Sequence, residues 1–477
     1  MIKPKELNEL GLPNDPRLMT PAMRLINSTL GRSRAGEAEH EAMREAVRTL
    51  AVAPETMCDH AVLGPLARLY MELFPAGARF IPRETPAPWR QWAAGEADAD
   101  AVRQMETACA LPAAVRGALL PDAHLGYGLP IGGVLAVRDC VIPYAVGVDI
   151  ACRMRLSVLD MPVARLSECR ESLAAALERE TRFGVGAEFA REERRSHAVM
   201  DEDWNVSPVT RTGRDKAWKQ LGSSGCGNHF VEFGELHVHA PARIGETDLA
   251  PGVYLALLSH SGSRGTGESV ARYYSERAVS LRPALPEELR RLAWLDMDSA
   301  DGQEYWAAMQ LMGRYASANH ELIHQHVIAA IGAQALTHVE NHHNFAWEEM
   351  HDGERVIVHR KGATPAHAGQ LGVVPGSMTT SGFVVRGKGS EASLCSCSHG
   401  AGRAMSRAAA FRQLRREDWE ALLRDSGVEL LSGSLDESPQ AYKDIHAVMA
   451  AQQDLVDILA EFRPRLVKMA PDEPRRS

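Results

Sequence analysis

Residues 146–152 constrain this chain most, because they place a carboxylate and a thiol three positions apart inside an otherwise apolar run. A buried carboxylate is costly unless it is paired or bound to a metal, and a thiolate beside it requires a nearby cation. In a straight strand Asp149 and Cys152 would point to opposite faces. We therefore predict a bend or one helical turn after Gly147 that directs both side chains to one metal ion.

The histidines that could complete such a site lie in short polar segments, each beside glycine, serine or asparagine. Loop backbone in these segments could bring them to a shared centre. They are His229, His260, the pair His342 and His343, and His399. Within the pair, His343 adjoins Asn344 and is our candidate ligand, whereas we expect His342 to pack or to form a hydrogen bond.

Two other features resemble metal sites but are interpreted as structural. His320 and His324 have the i, i+4 spacing of some zinc sites, but they lack the neighbouring acid of the H-E-x-x-H arrangement and lie in a long predicted helix. We expect them at the surface or at the edge of the core. Cys395 and Cys397 form a C-x-C pair rather than the C-x-x-C of a zinc ribbon, so we interpret them as strand residues.

The overall composition is that of a soluble globular protein, with 477 residues of which 45% are hydrophobic and 24% charged. The formal net charge of −9 argues against a surface that is basic throughout and coats nucleic acid, but it allows a local basic groove. The eight cysteines are scattered, which favours a reducing compartment. With no signal-peptide core and no membrane-length apolar run, we expect a cytoplasmic protein that binds no membrane.

Residues 1–85 are predicted to form a separate helical section, because apolar residues recur at helical spacing over 21–30, 37–52 and 63–73. From residue 121 the chain changes to glycine-punctuated, β-branched runs, including a predicted strand over 141–148. Alternating strands and helices of this kind allow either an α+β or an α/β fold.

Two glycine-rich segments are predicted to lie at helix starts. Residues 261–267 precede a helix predicted from Glu268, where backbone N–H groups and Arg264 could bind phosphate; such turns are also common without a ligand. His399 precedes a second predicted helix start, which favours phosphate binding and a neutral, nucleophilic imidazole. Of the arginines that follow, only Arg403 is expected to touch substrate.

Nine motifs occur in one order along the chain. They are residues 121–124 (Pro-Asp-Ala-His), 147–152 (Gly-Val-Asp-Ile-Ala-Cys), 227–232 (Gly-Asn-His-Phe-Val-Glu), 260–265 (His-Ser-Gly-Ser-Arg-Gly), 343–344 (His-Asn), 360–363 (Arg-Lys-Gly-Ala), 375–378 (Pro-Gly-Ser-Met), 398–403 (Ser-His-Gly-Ala-Gly-Arg) and 441–443 (Ala-Tyr-Lys). In this order the motifs resemble those of RtcB-type RNA ligases, from about residue 85 to the C-terminal region.

The resemblance implies an α+β fold with central mixed and antiparallel sheets, surrounding helices and a metal-containing cleft. Residues 86–477 would form this catalytic domain, behind an N-terminal helical extension of residues 1–85. It further implies a GTP- and Mn²⁺-dependent ligase that joins RNA 2′,3′-cyclic phosphate or 3′-phosphate ends to 5′-hydroxyl ends, in RNA splicing or repair. The ligand types alone would suit Zn²⁺ better, so manganese rests on the resemblance.

Matching motifs also imply roles for single residues. His399 would be the nucleophile that forms a covalent histidine–GMP intermediate. The implied ligands of two Mn²⁺ ions are Asp149, Cys152, His229, His260 and His343, with Cys152 as a bridging thiolate. The implied nucleotide-binding or RNA-binding residues are Asn228 for phosphate, Glu232 and Lys443 for guanine, Ser377, His399, Gly400 and Gly402 for the nucleotide, and Arg264 and Arg403 for phosphate or RNA.

The chain departs from the usual motifs at a few positions. Ala151, Arg153 and Cys226 stand where glycine is more usual, Gly382 where a serine is expected, and His320 where arginine is common. These departures raise the alternative of a divergent member that repairs cleaved RNA instead of splicing tRNA.

Two other functions stay open on the residues alone. The Asp/Cys/His cluster could serve a two-metal phosphohydrolase or nuclease, which would leave His399, Ser377 and Lys443 without a role. A non-catalytic RNA-binding subunit would need neither Cys152 nor His399.

Overall fold

The computed structural model describes residues 2–33, 36–74, 83, 85–96 and 98–471. Its α-helices are α1 (Pro4–Glu9), α2 (Pro16–Ser33), α3 (Glu37–Val52), α4 (Gly64–Leu73), α5 (Ala99–Cys109), α6 (Pro143–Val146), α7 (Arg165–Glu168), α8 (Arg170–Glu180), α9 (Pro208–Gln220), α10 (Arg264–Leu281), α11 (Ala300–Ala330), α12 (Arg407–Gln413), α13 (Arg416–Ser426) and α14 (Ile445–Ala450). Short 3₁₀ helices cover Pro54–Met57, Arg191–Glu193, Ala198–Asp201, Trp204–Val206, Glu287–Leu292, Glu391–Ser393, Leu435–Glu437 and Pro439–Ala441.

The strands belong to two large sheets and three two-stranded pairs. They are β1 (Trp89–Gln91), β2 (Ala114–His124), β3 (Ile131–Val137), β4 (Cys140–Val141), β5 (Arg153–Leu159), β6 (Phe230–Val238), β7 (Ala242–Ile244), β8 (Thr247–Leu249), β9 (Gly252–Ser261), β10 (Leu295–Asp296), β11 (Ala335–His342), β12 (Asn344–His351), β13 (Glu354–Lys361), β14 (Ala363–Pro365), β15 (Leu371–Val374), β16 (Gly382–Gly387), β17 (Ser396–Ser398), β18 (Glu429–Ser432) and β19 (Val456–Met469).

The larger sheet has eight strands and is antiparallel along the order β11-β5-β9-β6-β19-β16-β15, while β18 pairs parallel to β19. An inner strand of this sheet, β9, is buried from Leu255 to Ser261, as its apolar run predicts. The side chain of Asn341 on β11 accepts a hydrogen bond from Val373 N on β15 at 2.7 Å. The two ends of the sheet path are therefore linked.

The smaller sheet has five strands in the order β1-β2-β3-β13-β12, antiparallel except for the β1–β2 pair. The short β14–β17 pair contacts both sheets, through β2 and β3 of the smaller one and β11 of the larger one. Its second strand directly precedes His399. The sheets thus place the segment around His399 beside the edge of the larger sheet.

Helices cover the sheets. The 31-residue helix α11 is buried along much of its length, and Ile323 and Val327 pack against Leu255 and Leu257 of β9. Helices α1 to α4 form a separate apolar cluster, which gathers residues such as Leu7, Ile26, Val47 and Tyr70 and includes only Ala284 from elsewhere among its described buried members.

The α+β fold with mixed and antiparallel sheets is confirmed, and the three N-terminal helices lie where their apolar spacing predicted them. The division at residue 85 stays a prediction, and residues 75–82 and 84 next to it lie outside the described part of the chain. In that part, no helix has both the length and the apolar composition of a membrane span.

Four expectations about local structure were wrong. The strand predicted over 141–148 is a two-residue strand followed by α6, because Pro143 lacks the N–H of a sheet ladder and its fixed φ suits a first helical turn. Helix α10 begins at Arg264, four residues before Glu268. The helix after His399 begins only at Arg407. Cys397 lies in β17 as expected, but Cys395 precedes that strand with a φ of +47°.

Candidate active site

The segment after α6 folds back as the Asp149–Cys152 spacing predicted. Gly147 ends α6 with a φ of +98°, and Cys152 N donates to Asp149 O at 3.2 Å. Ala151 adopts a φ of +56°, and its N–H donates to Asn344 O at 2.7 Å. This turn brings the carboxylate and the thiol to the same centre.

Four adjacent strands deliver side chains to one edge of the larger sheet. Because β11, β5, β9 and β6 alternate in direction, the ends of two strands lie beside the starts of the other two. Cys152 precedes β5 and His229 precedes β6, while His260 lies near the end of β9 and His343 follows β11. The antiparallel order alone therefore gathers four of the five predicted metal ligands.

The ligand atoms of these residues meet in a compact cluster. Cys152 Sγ lies 3.0 Å from His260 Nε2 and 3.4 Å from His229 Nε2. His343 Nε2 lies 3.3 Å from His260 Nε2, and an Asp149 carboxylate oxygen lies 3.0 Å from His229 Nε2. All five predicted ligands thus belong to one cluster.

Hydrogen bonds outside the cluster define the state of two imidazoles. His229 Nδ1–H donates to Ser224 O at 2.7 Å, and His260 Nδ1–H donates to Asn228 O at 3.0 Å. Because a carbonyl oxygen only accepts, the lone pairs of both Nε2 atoms face the cluster. These lone pairs converge with the carboxylate of Asp149 and the sulfur of Cys152. Such convergence is favourable when a cation lies between them.

Burial keeps the cluster uncharged at its sulfur and at two imidazoles. It raises the pKa of the Cys152 thiol well above its ordinary value, with the charge of Asp149 as the next cause. It also lowers the pKa values of His260 and His343 well below that of a free histidine. Neutral imidazoles are the form that binds metals, and a divalent ion would displace the thiol proton. The cluster therefore fits a metal cofactor.

His399 is held by a carboxylate and not by a helix. Its Nδ1–H donates to Asp122 Oδ2 at 2.6 Å, and its backbone N–H donates to the same oxygen at 3.0 Å. Asp122 is fully buried; burial would raise its pKa, but the hydrogen bond and charge of His399 hold the pKa below its ordinary value. The His399 ring lies 4.9 Å from that of His343, between centroids.

The expected helix dipole is therefore replaced at His399 by Asp122, to which the sequence interpretation assigned no role. The signal that could have found it was the carboxylate within the motif at 121–124.

A cavity of about 380 Å³ opens beside His399 and the histidine cluster. The predicted residues that line it are Asn228, Glu232, His260, His343, Ser377, His399, Gly400, Gly402 and Arg403. Glu232 is buried, and this burial raises its pKa well above the ordinary value. The cavity combines these polar groups with apolar walls such as Phe462, as a nucleotide-sized site would require.

The expected hydroxyl at position 382 is absent because the residue is glycine, yet Gly382 still lines the cavity. Thr380 also lines it, and its Oγ1 lies 2.9 Å from Ser377 Oγ and accepts from Ser377 N at 2.7 Å. A threonine hydroxyl is therefore present beside Ser377.

A second, larger cavity of about 870 Å³ lies beside the cluster of candidate metal ligands. Asp149, His229 and Arg264 line it, and Asn228 and Arg407 line both cavities. Arg264 is the first residue of α10, and its Nε donates to Ser223 Oγ at 3.1 Å. The candidate metal site thus lies between two adjoining cavities.

Lys443 lies apart from the first cavity. Its ammonium group donates to Pro121 O at 3.2 Å and to Ala123 O at 2.6 Å, on either side of Asp122. Contact between Lys443 and guanine stays a prediction. Arg403 lines the cavity, but its guanidinium also donates to Asp436 O at 2.7 Å and lies over the Tyr442 ring.

The histidines interpreted as structural lie away from the cluster. His342 packs against the rings of Phe345 and Trp347, as expected. His320 and His324 are fully buried in the core, not at its edge. Both hydrogen-bond to Ser259 Oγ, next to His260, at 2.7 and 2.9 Å. They therefore support β9 from α11 as neutral residues.

Comparison with known proteins agrees with this site. Residues 104–469 match the family model described as tRNA-splicing ligase RtcB. The RNA-splicing ligase RtcB of Escherichia coli strain K12 is 34% identical over 414 residues, which cover 79% of this chain and 96% of that protein. The tRNA-splicing ligase RtcB of Methanococcus maripaludis is 30% identical, over 73% of this chain and 86% of that protein. The chain belongs to the RtcB family.

Proposed function

We propose that this protein is a GTP- and Mn²⁺-dependent RNA ligase, which joins RNA 2′,3′-cyclic phosphate or 3′-phosphate ends to 5′-hydroxyl ends. Its membership of a family of RNA ligases supports the reaction class. The observation that carries the detailed mechanism is the His399–Asp122 hydrogen bond. Because Nδ1 carries the proton, the lone pair is on Nε2, where a nucleophilic histidine needs it.

In the first step, His399 Nε2 attacks the α-phosphorus of GTP. A P–N bond forms, the bond to the β-phosphate oxygen breaks, and pyrophosphate leaves with its electron pair. The product is the histidine–GMP intermediate. Its imidazole carries a positive charge, which the adjacent Asp122 carboxylate stabilises.

In the following steps the RNA receives the guanylate. A cyclic phosphate end is first opened by water to a 3′-phosphate. An oxygen of this phosphate then attacks the guanylate phosphorus, and the P–N electron pair returns to His399. Finally the 5′-hydroxyl of the second RNA attacks the RNA phosphorus, which forms the new phosphodiester and releases GMP.

Five residues would hold the Mn²⁺ ions, for which we propose a count of two: Asp149, Cys152, His229, His260 and His343. Divalent ions at this position would neutralise phosphate charge and favour an in-line displacement. The convergent lone pairs of the cluster support this assignment.

The remaining roles follow the two cavities. In the first, Asn228 would contact phosphate, Glu232 would accept hydrogen bonds from guanine, and Ser377, Gly400 and Gly402 would border the nucleotide. Lys443 is proposed as a second guanine contact. In the larger cavity, Arg264 and the nearby Lys216 would bind RNA phosphates, since a local positive field suffices in an acidic protein. Arg403 would bind phosphate or RNA from the wall of the first cavity.

Guanylylation tests the proposal directly. The purified protein is incubated with α-³²P-GTP and Mn²⁺ and run on a denaturing gel, beside His399→Ala, Cys152→Ala and the control His326→Ala, which alters a half-exposed histidine on α11. We expect an acid-labile, alkali-stable label on the wild type and the control, and none on the other two variants. Joining of RNA with 3′-phosphate and 5′-hydroxyl ends should show the same pattern.

An unlabelled wild type in excess Mn²⁺, or a labelled His399→Ala, would contradict this mechanism. If the wild type is unlabelled, the two-metal phosphohydrolase or nuclease is the better interpretation, because it needs no covalent nucleotide. Release of phosphate or cleavage of RNA, dependent on Cys152, would be measured next. A labelled His399→Ala would instead place the nucleotide on another residue.

A further inference from the structure

A second cluster of nitrogen, oxygen and sulfur donors lies at the outer end of the smaller sheet, away from the candidate active site. His351 ends β12, Glu391 begins a 3₁₀ helix, and Cys395 precedes β17. His351 Nδ1 lies 2.7 Å from a Glu391 carboxylate oxygen, and Cys395 Sγ lies 3.9 Å from the other. One ligand atom from each of the three residues lies within 4.8 Å of the other two.

The spacing of these atoms suits a tetrahedral metal ion. Bonds of roughly 2.0–2.3 Å to zinc place neighbouring ligand atoms about 3.5 Å apart. The three atoms lie within 4.8 Å of one another, so the cluster needs to contract by at most about 1.3 Å to close around an ion. Imidazole, thiolate and carboxylate together are a donor set that zinc accepts.

Hydrogen bonds on the side of the ring that faces away from the cluster orient the imidazole of His351. Its Nε2–H donates to Glu349 at 2.9 Å, and Glu349 in turn accepts two hydrogen bonds, of 2.6 and 3.0 Å, from the fully buried Arg360. A carboxylate on the far nitrogen is the usual support of a metal-binding histidine. Nδ1–H donates to the carboxylate of Glu391, and an ion bound there would displace this proton. His351 and Cys395 are themselves buried, at 6% and 5% exposure.

A fourth candidate ligand, His367, lies in the loop before β15, outside the group of three residues. The ring of His367 lies 3.4 Å from Glu349 through Nε2. Its side chain also hydrogen-bonds to Cys395. His367 is half-exposed, so its ring is free to reorient toward an ion shared with Cys395.

The backbone holds Cys395 in the cluster. Leu394 and Cys395 both adopt left-handed conformations, with φ values of +54° and +47°. Cys395 N donates to Ser390 O at 2.9 Å, and Cys395 O accepts from Ala366 N at 2.6 Å. These bonds tie Cys395 to the segments that carry Glu391 and His367.

We propose that His351, His367, Glu391 and Cys395 bind one divalent transition-metal ion of the zinc type, at a structural site separate from the candidate active site. The ion would join the end of β12, the loop before β15 and the start of β17. Because β17 leads directly to His399, the site would anchor the segment that carries the candidate nucleophile. The proposal does not rest on the proposed ligase function.

Cobalt substitution tests the site, because a thiolate bound to Co²⁺ gives a near-ultraviolet charge-transfer band. The full-length protein carries Cys152→Ser, so that the candidate active site contributes no thiolate. To this background we add either Cys395→Ser or, as a matched control, Cys397→Ser, which alters another buried cysteine two positions away. We expect the band in the background and in the control, and its loss with Cys395→Ser.

Glu391→Gln provides a variant that should fold normally, because the Glu391 side chain is 58% exposed. In the same background, we expect it to weaken Co²⁺ binding, followed by titration of the band, by about tenfold or more. Zinc should raise the melting temperature of the background protein by more than that of the Cys395→Ser variant, in which only the histidines and Asp149 of the candidate active site can still bind it.

The absence of a thiolate–cobalt band in the Cys152→Ser protein, or its survival with Cys395→Ser, would overturn the proposal. So would unchanged Co²⁺ affinity in Glu391→Gln. The cluster would then be a network of hydrogen bonds and ion pairs around Glu349. None of these results depends on guanylylation of His399, which is measured separately.

Discussion

Asp122 accepts two hydrogen bonds from one residue, the ring and the backbone of His399, and has no exposed surface. Its carboxylate therefore determines both which nitrogen of His399 carries the proton and where the ring points. A neutral amide in its place could also point its NH₂ group at the ring, which would favour the wrong tautomer.

We predict that Asp122→Asn slows guanylylation by about 10²–10⁴-fold, because the proton position and the compensating charge are both lost. Single-turnover labelling with GTP measures this rate, and far-UV circular dichroism checks the fold. Asp425→Asn, at an exposed position on α13, is the control and should label at the wild-type rate. If Asp122→Asn is guanylylated at the wild-type rate, Asp122 contributes only to packing.

His359 gives a pH-dependent prediction of stability. It is fully buried on β13, its Nε2 accepts from Ile142 N at 2.9 Å, and burial lowers its pKa to about 4. Below pH 6.5 or so the unfolded chain takes up a proton that the folded chain refuses. Neutral His359 therefore contributes fully to the free energy of unfolding above that pH. This contribution falls by up to ~3 kcal/mol as the pH decreases toward 4.

His359→Gln retains an acceptor near the Nε2 position but does not titrate. We expect this variant to be less stable than the wild type at pH 7, yet to lose less further stability between pH 6.5 and 4. Urea denaturation at several pH values measures the free energy of unfolding. If the free energy of unfolding depends on pH in the same way in both proteins, His359 does not cause the loss of stability in acid.

At the scale of elements, the connection between β17 and α12 carries His399 and packs tightly on β2. Gly402 in this connection has a φ of +71°, and a Cβ atom there would lie 2.1 Å from the Asp122 carbonyl oxygen. A side chain would therefore displace the segment that holds the His399 ring. Gly369 offers a comparison, because its φ is +81° and a Cβ there would meet no described atom within 4 Å.

We predict that Gly402→Ala abolishes most guanylylation and destabilises the fold by several kcal/mol, since strain and a backbone clash combine. Gly369→Ala should cost only about 1 kcal/mol and keep its activity, because it carries the strain alone. Thermal unfolding and the labelling rate are measured for both. Equal effects of the two substitutions would contradict the proposed contact between Gly402 and Asp122.

At the scale of the whole molecule, the N-terminal helices bury their apolar residues mainly against one another. Ala284 and a bond from Glu287 N to Asn8 Oδ1, at 3.3 Å, join them to the rest of the described chain. The family match begins at residue 104 and leaves these helices outside it.

We therefore propose that residues 1–85 form a unit apart from the catalytic domain at 86–477. A chain without residues 1–85 should fold and label with GTP at a rate close to that of the full chain, since it retains every proposed site residue. Labelling and thermal unfolding of both chains test this. Loss of folding or labelling in the shorter chain would make the helices part of the catalytic unit.

Residue types and spacing predicted the candidate metal ligands and His399, while the fold and the nucleotide-binding residues were predicted from the resemblance to a family. Asp149 and Cys152 stand out because ionisable groups are rare in apolar runs, and the separate histidines stand out because their neighbours are turn residues. The order of the motifs then indicated the family and, through it, the α+β fold. Local errors occurred where one residue changes the backbone, as at Pro143 and Cys395.

By itself, the sequence determined which side chains are candidates to bind a metal or attack a phosphate, because it specifies the chemical type of each residue and the local spacing between residues. Only the tertiary structure decided which of them meet. Asp122 contacts His399 although the two residues are 277 positions apart in the sequence. Cys395 lies close to His351 because the two segments that carry them pack at the end of one sheet. Such contacts depend on strand order and register, which no local pattern specifies.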